Sequence, residues 1–293
     1  MSKCVGCGIK LQDKFKDKLG YTKKLDNLYC ERCFKTIHYN EERKIDNFNN
    51  DDILEKINKL NKSTIFISDF LSLNTEVIKI FKKIKNKKIL VINKCDLIPN
   101  NIKLQHIEEN IKNSFDLYDD VFFISAKLKY NLNKLIDFIE EEKNVIICGE
   151  TSSGKSTLIN KLIDSNLTTS KYSNTTLDFI KLKYMDYVIY DSPGLGINTN
   201  KKNITNIKVI TKVLKSDYNL IIDDVIINGN GNITLFLDEN VKVISKKKKD
   251  EFKYKYSIKD KQDIELDNGF IFVKNGFSIS SNKELGIRDS IIK

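Results

Sequence analysis

The chain has no tryptophan and only three arginines, Arg32, Arg43 and Arg288, among 293 residues rich in lysine, isoleucine and asparagine. Codon bias alone produces such a composition, so a lysine count by itself carries little weight. No apolar run approaches the ~18 residues of a membrane span, and no apolar leader follows Met1. A soluble cytoplasmic protein with no membrane partner is therefore expected. Cysteine is sparse, six residues in all, and nothing points to the oxidising compartment that structural disulfides need. What remains is an ordinary 40% apolar content, enough for roughly two domains with a small satellite, and a formal net charge of +10. A basic surface favours polyanions, RNA among them.

Residues 144–160 organise the rest. A short apolar run, Val145–Cys148, reads as a buried strand and leads into Gly149-Glu-Thr-Ser-Ser-Gly154-Lys155-Ser156-Thr157. Gly149 and Gly154 free the backbone so that successive N–H groups wrap a phosphate. Lys155 is placed to reach the β- and γ-phosphates, and the Ser156 hydroxyl to ligate Mg²⁺. Leu158, Ile159 and Leu162 give the following helix an apolar stripe, with its N-terminus facing the anion.

Two earlier strand ends supply a guanine reader. The strand at 88–92 ends in Asn93-Lys94-Cys95-Asp96, and the strand at 121–124 ends in Ser125-Ala126-Lys127. Asp96 can accept from guanine N1–H and N2–H₂, a pattern adenine lacks, which opposes an ATPase. Lys94 can lie across the base, Asn93 can tie this loop to the phosphate loop, and the Ala126 N–H can donate to O6. Alternating short strands and helices predict a parallel sheet with ligands at its carboxyl edge. The helix expected at 51–60 is capped by its acidic pair.

The N-terminus carries Cys4-Val-Gly-Cys7 and Cys30-Glu-Arg-Cys33, two CxxC turns whose four thiolates suit tetrahedral zinc and would lower the net charge from +10 to about +8. His38 is surplus to such a site. Downstream, Asp191-Ser-Pro-Gly194 follows a strand. Asp191 can hold a Mg²⁺ water, and the Gly194 N–H can sense a γ-phosphate. Thr176, with Thr175 as the alternative, can add a second hydroxyl to Mg²⁺. Residues 204–214 have helical spacing. From Tyr218 the pattern turns to strands with Asn-Gly turns at 228–229, 268–269 and 275–276. Lysines at 246–249, 253, 255, 259 and 261 interleave there with Phe252, Tyr254 and Tyr256, which suits RNA.

The guanine motifs precede the phosphate loop, the reverse of ordinary small GTPases. In this order, and in Cys4-Val-Gly-Cys7-Gly, Arg32-Cys33-Phe34, His38-Tyr39-Asn40, Thr175-Thr176-Leu177-Asp178 and Gly269-Phe270-Ile271, the chain resembles the YqeH-type circularly permuted GTPases of ribosome assembly. Permutation is tolerable because a sheet depends on strand neighbours rather than on chain order. The resemblance implies an α/β fold: a Cys₄ zinc module at 1–45, a circularly permuted P-loop GTPase domain at 46–215 and a β-rich domain at 216–293. It also implies slow GTP hydrolysis to GDP, with Mg²⁺, in an assembly factor contacting the small ribosomal subunit or its precursor and rRNA through both ends. The alternative is a non-catalytic RNA-binding scaffold that uses GTP structurally. Ser152 and Ser173-Asn174 stand where that family has Asn and Pro-Gly, so only weak K⁺ activation is expected. Leu195 occupies the place of a water-orienting glutamine.

Overall fold

Apolar runs rich in isoleucine and valine form a six-stranded sheet in the order β3-β2-β1-β4-β6-β5. Its strands are β1 (Ser63–Asp69), β2 (Lys88–Asn93), β3 (Asp120–Phe123), β4 (Asn144–Gly149), β5 (Ile180–Tyr184) and β6 (Tyr187–Asp191). All neighbours are parallel except the β5–β6 hairpin. After the first residue, β1, β2 and β4 are buried at every position, as strands covered on both faces must be. On one face Ile65, Ile67, Val91 and Ile147 pack with Leu135 and Ile139 of α5 (Asn133–Glu142) and with Leu158 and Ile159 of α6 (Lys155–Ile163). On the other, Phe66 meets Phe81 of α3 (Thr75–Lys82) edge-on, centroids 5.6 Å apart.

This topology is the permutation made visible. β4, which leads into the glycine-rich loop, is fourth in the chain yet central in the sheet. The strands ending in Asn93 and Phe123 lie to one side of β1, and the strand ending in Asp191 lies beyond β4. The carboxyl ends of these strands therefore bring together motifs that the chain order separates, at the β1–β4 switch point. The circularly permuted P-loop fold expected from the motifs is the fold observed.

The computed structural model describes residues 2–16, 18–39, 49–98, 102–163, 179–196, 206–247, 252–259, 261–267, 269–274 and 276–292. The chain divides into two compact units. The first comprises Met1–Phe70, Lys79–Asp96 and Asp119–Ile197; the second comprises Leu71–Ile78, Leu97–Tyr118 and Asn198–Lys293. In the first unit, α2 (Asn50–Leu60) is capped by Asn49, whose side chain accepts from Asp51 N, and not by the acidic pair, which lies inside the first turn.

The second unit holds two antiparallel five-stranded sheets. One contains β7 (Ile207–Leu214), β10 (Gly231–Asp238), β13 (Gln262–Leu266), β14 (Gly269–Val273) and β16 (Ile287–Asp289). The other contains β8 (Tyr218–Ile222), β9 (Val225–Gly229), β11 (Val243–Lys247), β12 (Tyr254–Ser257) and β15 (Phe277–Ser281). Their inner faces share one core, with Ile233, Leu235 and Ile271 from the first sheet and Leu220, Ile227 and Ile279 from the second. The helix expected at 204–214 is instead the strand β7, paired along its whole length with β10. Its β-branched residues favour a pleated surface, and alternate residues Ile210 and Leu214 turn toward the core. Asn228-Gly229 is likewise not a turn but the end of β9, where Gly229 faces Phe277.

Candidate functional site

The glycine-rich loop leaves β4 at Gly149 and enters α6 at Lys155. Gly149 lies so close to β1 that a Cβ there would sit 2.1 Å from Ile67 O. At Gly154, with φ +90°, a Cβ would sit 2.2 Å from Asn93 Nδ2. Both glycines thus answer to close approach as well as to loop curvature. Ser152 adopts φ +67°, a left-handed position that serine takes less readily than asparagine. Ser156 and Thr157, in the first turn of α6, are half-buried.

Asn93 is the hinge pin between three loops. Its Nδ2 donates to Ser153 O at 2.8 Å, and its Oδ1 accepts from Ala126 N at 2.9 Å. The phosphate loop, the Asn93–Asp96 turn and the Ser125–Lys127 turn are therefore locked together by one buried carboxamide. The same bond engages the Ala126 N–H that was expected to face guanine O6, so in this conformation that donor serves the loop. Ser125 is buried, its Oγ accepts from Leu128 N at 3.2 Å, and its backbone pairs in both directions with Tyr130 at 3.1 Å. Lys127 is exposed, as is Asp96 within a short 3₁₀ turn, Cys95–Leu97. Lys94 does not stand free: at φ +61° its Nζ lies 3.3 Å from Asp69 Oδ2.

Sequence reasoning missed Ser68, Asp69 and Glu150. Glu150, inside the glycine-rich loop and 2% exposed, accepts from Ser68 Oγ at 2.7 Å and from Asp69 N at 3.1 Å. The loop is thus tied to the end of β1, and Asp69 in turn holds Lys94. A buried glutamate at a variable position of a loop motif gives no periodic signal, which is why it escaped notice.

Lys155 Nζ and Asp191 Oδ1 are in direct contact, and both side chains are nearly buried. Each keeps the other's charge compensated. A phosphate reached by Lys155 and a cation held through Asp191 would have to replace that pairing. After Asp191 the chain runs beside the loop: Ser192 N donates to Ile147 O at 3.0 Å, Leu195 N to Gly149 O at 2.9 Å, and Thr151 N to Leu195 O at 3.0 Å. Gly194 sits between these fixed points, and Leu195 is fully buried. Thr175 and Thr176, like Ser173-Asn174, lie outside the described residues. Ser156, in the first turn of α6, follows the lysine that touches Asp191 at the end of β6, and the two side chains offer hard oxygens of the kind that suit Mg²⁺.

The four N-terminal cysteines are buried, unbonded and clustered, with all Sγ atoms within 4.8 Å of one another. Cys7 Sγ and Cys30 Sγ are 3.8 Å apart. A zinc–sulfur distance of about 2.3 Å makes the edge of a tetrahedron about 3.8 Å, so the donor set fits zinc. The second CxxC sits at the start of α1 (Glu31–Tyr39), and Cys30 N donates to Cys4 Sγ at 3.2 Å. Mutual hydrogen bonding divides the thiols. Contact with Cys30 holds Cys4 far below the ordinary thiol value, contact with Cys33 brings Cys30 down to about 7, and contact with Cys30 pushes Cys7 and Cys33 up. Four thiolates this close stay ionised together only around a cation. The side chain of His38 lies outside the described residues.

The chain is similar to several known GTPases. The family described as RsgA GTPase matches residues 72–201, and the family described as 50S ribosome-binding GTPase matches residues 144–259. YqeH of Bacillus subtilis is 31% identical over 227 residues, 70% of this chain and 62% of YqeH. GTPase Der of Borrelia garinii is 32% identical, covering 51% of this chain and 37% of that protein. The small ribosomal subunit biogenesis GTPase RsgA of Phytoplasma australiense is 32% identical, covering 37% of this chain and 36% of its own. The solved structure of YjeQ from Thermotoga maritima aligns with 46% of this chain and 48% of that one, at 20% identity and a TM-score of 0.35. The chain thus spans less than two thirds of the length of each of these relatives.

Proposed function

We propose that this chain, a circularly permuted GTPase of the YqeH type, binds and slowly hydrolyses GTP while assisting assembly of the small ribosomal subunit. The observation that carries the reading is Asn93, which joins the phosphate loop to both base-reading turns and leaves Asp96 exposed beside them. In this reading Gly149, Ser152, Gly154, Lys155, Ser156 and Thr157 cradle the phosphates, and Asp96, Lys94 and the Ser125–Lys127 turn hold the base. Ser156, Asp191 and Thr176 hold Mg²⁺, which when bound neutralises charge between the β- and γ-phosphates. Lys155 stabilises the same developing charge, and the Gly194 N–H orients the γ-phosphate.

Slow turnover follows from what flanks the γ-phosphate. Leu195 is buried and offers no group to orient water, while Arg288 is buried with Asp263 in the β-rich unit and Arg32 lies 3.9 Å from Cys33 Sγ. That same observation favours the second reading, a scaffold that holds GTP without using it. Turnover raised by ribosomal particles separates the two. For rRNA, the described cations at the surface include those of the zinc module and the exposed Lys246, Lys247, Lys253, Lys255, Lys259 and Lys261. Tyr256 is not available for stacking: it packs against the core and its hydroxyl accepts from Leu285 N at 3.0 Å.

Asp96→Asn tests the guanine assignment. Losing a charged acceptor for two base N–H groups costs ~1.5–3 kcal/mol, so GTP affinity should fall roughly ten- to hundredfold while ATP is unaffected. Titration of both nucleotides reads this, and an unchanged preference for GTP would remove Asp96 from the base site. Subunit choice is read by cosedimentation with separated small and large subunits at fixed salt.

Ser152→Asn tests the cation expectation. Asparagine occupies φ +67° readily, so the loop accepts it, and its carbonyl reaches further than a serine hydroxyl. The ratio of GTP turnover in K⁺ to that in Na⁺, at equal ionic strength, should rise with little change in affinity. A strong K⁺ response already present in the wild type would show that another group does this work.

A further inference from the structure

We propose that Asn50, the first residue of α2, is a positioning residue for the segment 191–196, holding Gly194 where its N–H meets a γ-phosphate. The inference rests on the GTPase reading above. The Asn50 carboxamide grips both backbone groups of a single residue: Oδ1 accepts from Gly196 N at 2.9 Å, and Nδ2 donates to Gly196 O at 2.8 Å. A neighbouring strand satisfies a peptide in the same way, and a side-chain amide carries the matching donor and acceptor. The partners are 146 residues apart in the chain.

A clasp is only as firm as its base, and α2 is well anchored. Ile53, Leu54 and Ile57 are buried. Asn58 accepts from Lys85 N at 2.9 Å and donates to Lys83 O at 3.2 Å, while Asn86 Nδ2 donates to Ile57 O at 3.0 Å. On its other side, the clasped segment is bonded to Ile147, Gly149 and Thr151, as described above. Gly194 is therefore fixed from both directions, by the phosphate loop and by α2. The same helix also reaches the chain beyond the threonine loop: Lys56 Nζ lies 4.9 Å from the centroid of Phe179, the first described residue after 178. One helix thus contacts both Gly196 and Phe179. Preorganising the Gly194 donor favours the triphosphate over the diphosphate, since only the triphosphate meets it.

The test uses Asn50→Ala and Asn50→Asp, the second keeping the acceptor for Gly196 N–H while losing the donor. Without the two neutral hydrogen bonds that preorganise it, the segment must be ordered when the third phosphate binds, a cost of roughly tenfold in affinity. Asn50→Ala is therefore expected to weaken binding of a non-hydrolysable GTP analogue about tenfold while GDP changes less than twofold, with Asn50→Asp in between. In nucleotide-free protein the amides around Gly196 should exchange faster with solvent in Asn50→Ala. Equal weakening of both nucleotides would mark a merely structural helix start and overturn the proposal, as would an unchanged ratio or unchanged exchange. Wild-type protein that binds neither nucleotide, with exchange still faster in the variant, would instead sink the GTPase reading and the positioning role with it.

Discussion

Cys30→Ser is expected to release one zinc per chain and to unfold the first ~40 residues while leaving guanine nucleotide affinity intact. Structural zinc contributes about 10–16 kcal/mol of binding energy that is also folding energy, and this module has little else to stand on. Among the described residues, its buried apolar side chains are the four cysteines and Leu11, with Ile9 and Tyr29 only partly covered. Val5, Phe15, Leu19, Leu25 and Leu28 are exposed, so the described residues offer little apolar core to survive loss of the metal. Serine keeps the shape but removes a thiolate, leaving three ligands. Metal analysis of protein purified without chelator, followed by proteolysis of the N-terminal segment, reads both outcomes. Absence of zinc in a wild type with a protected N-terminus, or a disulfide among these cysteines, would refute the site.

A loss of similar weight is expected in the β-rich unit. Arg288, on β16, and Asp263, on β13, lie side by side with Nε and Oδ2 3.5 Å apart and both side chains almost completely buried. Glu265 Oε1 stands 3.7 Å from Nη1, and the guanidinium lies over the Phe270 ring, which stacks on Phe236 at 4.7 Å. Removing one partner strands the other's charge, so Arg288→Ala or Asp263→Ala should each cost about 3–5 kcal/mol, whereas Asp263→Leu with Arg288→Met should cost much less. Denaturant unfolding of the four proteins reads the cycle, and additive single and double losses would show that the pair is not a unit.

That pair also shapes the pH dependence of stability. Burial raises the Asp263 carboxyl above its ordinary value despite the opposing charge of Arg288. The folded chain therefore binds this proton more tightly than the unfolded chain, and stability from this group falls as pH rises from the ordinary carboxylate value through the raised one.

The glycine-rich loop, the two polar turns and the cysteine pairs stood out in the sequence because phosphate, guanine and zinc chemistry would each demand particular residues at fixed spacing. Gly149, Gly154, Lys155 and Asp96 follow from what a phosphate and a guanine require, and the cysteine pairs follow from the tetrahedron. The strands of the parallel sheet were legible for a simpler reason, since short apolar runs bounded by polar turns suit buried strands, but their order in the sheet was not. Residues 207–214 misled because Ile207, Ile210 and Leu214 satisfy a helical period while Ile210 and Leu214 also satisfy a strand period; pairing with β10 decided between them. Asn50, Glu150 and Asp69 left no trace at all. Each is a polar residue with an unremarkable neighbourhood in sequence, and its meaning lies in a partner far away along the chain.

The division of the chain has a consequence for its synthesis. Residues Leu97–Tyr118 belong to the second unit, and they contain α4 (Leu104–Phe115), whose Asn110 Nδ2 donates to Ile291 O at 3.3 Å across 181 residues. At a translation rate of about 5–20 residues per second, α4 leaves the ribosome roughly ten to thirty-five seconds before its partner. β1, β2 and β3 can pair with one another in that time, but the Asn110 side chain meets its partner carbonyl, just beyond β16, only once residue 291 has emerged. A nascent chain paused short of residue 291 therefore lacks this tie between α4 and the C-terminal segment.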